Sequence, residues 1–214
     1  MRFRSREHAA QLLAEKLSAD YQNKNPLILG IPRGGVPIAG IIADALGGEL
    51  DVVLVHKLGH PDQPEFAIGA IDERADTYLA EWASELPPQV LEEEKQRQLA
   101  VLRRRRSQYT PLRPPMDPSG RIVIVVDDGV ATGSTMIAAL RAVRARNPKK
   151  LICAAAVASP EAVRSIAREA DAIVCLREPA EFFAVGEFFQ DFAQVTDEDV
   201  AAILQRQLRK EKNL

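Results

Sequence analysis

Two adjacent carboxylates, Asp127 and Asp128, stand at the end of the apolar run Ile122-Val123-Ile124-Val125-Val126, and a loop of small and hydroxyl residues, Ala131-Thr132-Gly133-Ser134-Thr135, follows at once. These residue types divide the chemistry between them. Backbone N–H groups in the loop, and in the helix it opens, lack intrahelical acceptors, so with the helix dipole they form a cradle for a phosphate. Gly133 lets the backbone approach that phosphate closely, and the hydroxyls of Thr132, Ser134 and Thr135 add donors. Asp127 and Asp128 would repel the same group. They must address another part of the ligand: sugar hydroxyls, which donate to carboxylates, or a magnesium ion. A phosphorylated ribose satisfies both halves.

A second cluster, Pro32-Arg33-Gly34-Gly35, directly follows the apolar stretch Leu27 to Ile31. Gly34 and Gly35 permit close backbone approach, Arg33 offers a bidentate fork, and the next helix supplies another N-terminal dipole. The shape suits a diphosphate. Polyphosphate binding of the Walker kind is excluded, since no G-x-x-x-x-G-K-[ST] occurs, and G-x-G-x-x-G is absent too. A receiver-type acidic pair on magnesium would leave the Thr132 to Thr135 loop without a use.

The elements that must position these residues are legible in the pattern. An unbroken β-branched run is expected of a strand buried on both faces of a parallel sheet. Strands are expected at Leu27–Ile31, Leu50–His56, Phe66–Ile71, Ile122–Asp127, Leu151–Val157 and Ala172–Leu176. Helices are expected after Ser5, over Val36–Leu46 and Met136–Arg146, after Ser159-Pro160, and from Thr196 to about Arg209. The alternation predicts an α/β fold with a mainly parallel sheet flanked by helices. The stretch from about 72 to 120 breaks the alternation with Pro87-Pro88, a charged helix over Gln89–Gln108 and a proline-rich exit. It is expected to be a helical insertion at the sheet edge, and long insertions of this kind often serve as lids. Its basic run, Arg103 to Arg106, is read as a solvated helix face paired with Glu92, Glu93 and Glu94, with a lid arginine or an RNA contact as the alternatives.

A chain of 214 residues, 46% hydrophobic, suffices for one domain over 1–214. The net charge of -2 argues against a general nucleic-acid or anionic-membrane binder. Two cysteines inside apolar stretches, Cys153 and Cys175, suggest buried thiols in a reducing compartment, and no apolar run approaches a membrane span, so a cytoplasmic protein is expected.

The segment Ile122 to Met136 resembles the phosphoribosyl-diphosphate signature of the type I phosphoribosyltransferases: apolar residues, two acids, a short spacer, then T-G-S-T. The resemblance implies that Asp127 and Asp128 bind the ribose 2- and 3-hydroxyls and that Ala131, Thr132, Gly133, Ser134 and Thr135 wrap the 5-phosphate. Pro32, Arg33, Gly34 and Gly35 resemble the diphosphate loop of the same enzymes, which often holds a cis non-proline peptide, here expected at Pro32-Arg33. Lys57 takes the place of a basic diphosphate contact, and His56 has no assigned role. The layout resembles bacterial stand-alone phosphoribosyltransferase-domain proteins, with a core at about 25–180 and a small hood from about 1–24 and 181–214.

The implied reaction displaces diphosphate from the ribose anomeric carbon by a base nitrogen, with magnesium as cofactor and Asp127, Asp128 and Asp191 near it. Ala131 stands where 6-oxopurine enzymes place an aspartate, so the loop looks closer to the adenine type. Phe183-Ala184-Val185-Gly186 with Asp191 instead resembles the hypoxanthine type, where an aromatic stacks on the purine. The acceptor is therefore expected to be nucleobase-like and purine-like without a fixed identity. Homo-oligomers are possible partners. A regulatory protein that senses phosphoribosyl diphosphate without turnover is the alternative.

Overall fold

Ser5 accepts a hydrogen bond from the His8 N–H (3.4 Å) and starts α1 (Arg6–Tyr21), whose Ala10, Leu13 and Leu17 pack into the same core as Ile38, Ile42 and Leu46 of α2 (Gly35–Leu46). The computed structural model describes residues 2–60, 63–79, 83, 86–111 and 115–212, the side chains of 63–67 and 211–212 excepted. Five parallel strands form the main sheet in the order β2-β1-β6-β7-β8: β1 (Leu27–Gly30), β2 (Glu49–Val52), β6 (Ile122–Val130), β7 (Lys150–Ala158) and β8 (Ala172–Arg177). Ile28, Ile124, Val126 and Ile152 face the layer of α1, α2 and α6 (Asp197–Lys212). Leu27, Leu29, Val123, Val125 and Leu151 face α4 (Ser134–Arg144) and α5 (Pro160–Ile166). Both faces are covered, which is why these strands show no polar alternation.

Two strand expectations change. The run Leu50–His56 is not one strand: β2 ends at Val52, and β3 (Val55–His60) leaves the main sheet for an antiparallel one with β4 (Gln63–Asp72) and β5 (Thr77–Leu79). The pivot is Asp51. Its buried carboxylate accepts from the N–H groups of Val52 (2.8 Å) and Met116 (2.9 Å) and from Arg106 Nη1 (2.8 Å), tying the sheet edge to the excursion. The expected strand at 66–71 therefore lies in the small sheet, and the excursion begins near Val55 rather than at 72. An apolar run records burial and is silent about a change of sheet.

The second change concerns α3 (Pro88–Tyr109), which puts Leu99, Leu102 and Tyr109 into the main core. Arg106 lies half-buried beside them. It donates to Glu73 Oε2 (2.6 Å) and Oε1, to Asp51, to Thr110 Oγ1 (3.2 Å) and to the Val52 carbonyl (3.0 Å). The basic run is thus not a uniformly solvated face, and the C-terminal half of α3 is fastened to the sheet edge.

The chain's two ends meet. Phe3 and Phe189 form a parallel bridge, with Phe3 N–H on the Phe188 carbonyl (2.8 Å) and Gln190 N–H on the Phe3 carbonyl (2.8 Å). Thr196 Oγ1 accepts from Asp199 N–H (3.1 Å) and opens α6, as the sequence suggests.

Candidate active site

The site is built where β6 outruns its neighbour. β1 pairs with β6 only as far as Val126, whereas β6 continues against β7 through Val130, so Asp127 and Asp128 lie beyond the end of β1. The strand expected to end at Asp127 runs on to Val130. This opening between β1 and its neighbour is the crevice in which open α/β sheets bind ligands.

The loop after β1 folds down onto that opening. The Pro32-Arg33 peptide is cis, as the resemblance implies. A Cβ added at Gly34 would stand 2.0 Å from Asp128 Oδ2, and one at Gly35 2.3 Å from the Val126 carbonyl oxygen. Only glycines let the loop lie directly on the acid pair. On the other side, Gly133 adopts φ 83°, the left-handed conformation glycine tolerates, and hands the chain to α4. Ser159 Oγ donates to the Ala131 carbonyl (2.6 Å) and the Ser159 N–H to the Val130 carbonyl (3.0 Å), so the start of α5 braces the loop. The hydroxyls of Thr132 and Ser134 lie 3.2 Å apart on an exposed rim.

Two cavities flank the loop. One, of about 280 Å³, is lined by Pro32, His56, Lys57, Arg105, Ser134 and Thr135 among others. None of its described lining residues is a carboxylate. The other, of about 440 Å³, is lined by Arg6, Arg33, Gly34, Asp128, Phe192, Gln194 and Val195. Ser134, Thr135 and Lys57 are therefore brought together on one cavity, and Arg33, Gly34 and Asp128 on the other.

Arg6, which carries no motif, grips the acid pair from α1. Its Nε and Nη2 both address Asp128 Oδ2, at 2.9 and 2.8 Å, while Nη1 donates to the Ala193 carbonyl (2.7 Å). Its guanidinium lies 3.9 Å from the centre of the Phe192 ring. Burial raises the Asp128 carboxyl above its ordinary range, with Arg6 opposing the shift. Asp127 stands well above that range, because it is enclosed by protein atoms and faces the charge of Asp128.

Two residues named on resemblance sit elsewhere. Phe183 is 80% exposed and does not line the large cavity; the aromatic that does is Phe192, stacked on Phe189 at 5.0 Å between centroids. Asp191 accepts from the Ala193 N–H (3.2 Å) and lines an adjoining cavity with Ser5, Arg6 and Glu7, apart from Asp127 and Asp128. Sequence reasoning missed Arg6; it left Arg105 inside a basic run and favoured packing over base stacking for Phe192. Only the odd placement of an arginine at the first position after a helix cap could have signalled Arg6.

The geometry places an acid pair, a glycine-lined loop and a hydroxyl-rich loop at one edge of a parallel α/β sheet, and comparison with known proteins gives the chain a family. Residues 4–188 match the phosphoribosyl transferase domain, so the chain belongs to the phosphoribosyl transferase family. Two Mycobacterium tuberculosis proteins, from strains CDC 1551 and H37Rv, are 39% identical over 207 residues, and their names class them as phosphoribosyl transferases. The match covers 95% of this chain and 46% of theirs, so the chain spans about half the length of these relatives. The crystal structure of TT1426 from Thermus thermophilus superposes with a TM-score of 0.87 at 48% identity, covering 97% of this chain and 99% of that one.

Proposed function

We propose that the chain transfers the 5-phosphoribosyl group of phosphoribosyl diphosphate to a nitrogenous, purine-like base and releases diphosphate. One observation carries this reading: two unlike subsites meet across the Pro32-Arg33 loop, a carboxylate-free cavity with Lys57, Ser134 and Thr135 on one side and an Asp128-lined cavity on the other. Phosphates suit the first and a sugar with its acceptor the second. The larger cavity has room for a bicyclic base, with Phe192 as an apolar wall.

As the anomeric C–O bond breaks, positive charge grows on the ribose and negative charge on diphosphate. Asp127 and Asp128 hold the ribose hydroxyls and offset the developing cation, while Arg33 and Lys57 stabilise the leaving group. The base nitrogen forms the new bond to that carbon. The acid pair fits a magnesium ion, which favours one or two carboxylates plus substrate phosphates, and among the described residues no cluster of three or more His, Cys, Asp or Glu offers a self-sufficient cage. When bound, the ion would neutralise charge on diphosphate. Asp191 enters this scheme only by resemblance. A cytoplasmic setting accords with the free thiols of Cys153 and Cys175, and no described helix is long and apolar enough to cross a membrane.

The test is diphosphate release by pure protein given phosphoribosyl diphosphate, magnesium and a panel of purine and pyrimidine bases, with the Asp127→Asn, Asp128→Asn double variant as control. Turnover with at least one base, lost in the double variant, is the expected result. Failure to bind phosphoribosyl diphosphate would overturn the reading, and tight binding without turnover for any base would replace it with a sensing role.

A further inference from the structure

We propose that Arg105 is a phosphate-binding residue, a cation presented by α3 to the cavity that also holds Lys57 and the hydroxyls of Ser134 and Thr135. The inference rests on the phosphoribosyl reading and extends it to a residue outside every recognised motif.

Helical geometry separates the four arginines. Arg103 and Arg104 are exposed, whereas Arg105 is half-buried. Its neighbours one turn away, Leu102 and Tyr109, are both buried, so Arg105 lies along the edge of the inward face of α3. From there it lines the cavity with His56, Lys57, Ser134 and Thr135. Among the described residues Arg105 makes no ion pair.

Charge then decides what the cavity is for. Arg105 and Lys57 face one space of about 280 Å³ together with the hydroxyls of Ser134 and Thr135, and the described lining holds no carboxylate, a donor-rich wall that suits an anion. A solvated arginine would turn to water instead. The guanidinium fork matches phosphate oxygens two at a time, which the lysine ammonium does not. Arg105 also shares that cavity with Pro32 of the loop after β1. The backbone that presents Arg105 is fixed by the next residue, since Arg106 is bound to Asp51 and Glu73.

The 5-phosphate and the diphosphate offer the same chemistry, and calorimetric titration separates them. Wild type, Arg105→Gln, Arg105→Lys and Arg104→Gln are titrated in magnesium buffer of fixed ionic strength with phosphoribosyl diphosphate, ribose 5-phosphate and inorganic diphosphate. Arg105→Gln is expected to weaken phosphoribosyl diphosphate roughly 10- to 100-fold, the worth of a charge-assisted hydrogen bond. Arg105→Lys recovers part of the loss, and Arg104→Gln stays within about twofold, as a solvated charge should. The smaller ligand that loses affinity with Arg105→Gln identifies the phosphate concerned. Wild-type affinity of Arg105→Gln for all three ligands overturns the proposal, as does an equal loss in Arg104→Gln. If wild type itself binds none of the three, the phosphoribosyl reading falls and the proposal with it.

Discussion

Arg6 and Asp128, 122 residues apart in the chain, meet in a buried ion pair in which two guanidinium N–H groups converge on one carboxylate oxygen, Oδ2, with only 10% and 12% of the two side chains exposed. The same guanidinium binds the Ala193 carbonyl and covers Phe192, so α1, the C-terminal segment and Asp128 share one side chain. Arg6→Gln is expected to cost roughly 3–5 kcal/mol, the penalty of leaving a buried charge alone. Denaturant unfolding measures it. Adding Asp128→Asn should recover most of the loss, and a loss in Arg6→Gln under about 1 kcal/mol would reduce the pair to a surface contact.

Asp127 gives a pH signature of opposite sense for stability and activity. Its carboxyl is raised by burial and by Asp128, so the folded state holds that proton more tightly than the unfolded chain. Stability is therefore full in acid and declines as pH rises above the unfolded carboxylate range. Asp127→Asn lacks this decline and keeps an oxygen to accept the Asp128 N–H, a bond of 2.9 Å in the native chain. Melting curves of variant and wild type should converge near pH 3–4 and separate at neutral pH with the variant higher, while diphosphate release is lost. Parallel melting profiles across the whole pH range would contradict the assignment.

Gly34 tests the contact between loop and acid. Its missing side chain leaves the space that Asp128 Oδ2 occupies, 2.0 Å from where a Cβ would stand. Gly34→Ala should lower kcat/KM by about 100-fold or more, the cost of a misplaced reacting group, while circular dichroism keeps its native form. Near-native kinetics would show that the loop shifts without harm.

Phe192 and Phe183 make opposite forecasts. Phe192 lines the larger cavity and supports Arg6, whereas Phe183 is turned to solvent. Phe192→Leu should raise the KM for the acceptor by about tenfold, in line with the worth of an aromatic contact, while Phe183→Ser leaves it unchanged. The reverse order would return Phe183 to the base-binding role its sequence context suggests.

Much of the framework was legible because it depends on local pattern. The runs at 27–31, 122–126 and 151–157 announced buried parallel strands, and Ser5, Ser159 and Thr196 announced helix starts. The cis peptide and the phosphate-type loop came from motif resemblance and lie where expected. What escaped was long-range. Asp51 reads as an ordinary strand residue until Arg106 and the Met116 N–H arrive from a distant segment, and their arrival sends the chain into a second sheet. Arg6 and Phe192 enter the site through the joining of the two chain ends, which no local spacing records.

The division of labour on α3 has a consequence for how a ligand would be received. With Arg106 riveted to Asp51 and Glu73, the wall behind the smaller cavity stands ready-made before any anion enters. Little ordering entropy is then left to lose at that wall on capture. The C-terminal half of the helix that the sequence offers as a lid is thus fastened to the sheet edge like a buttress.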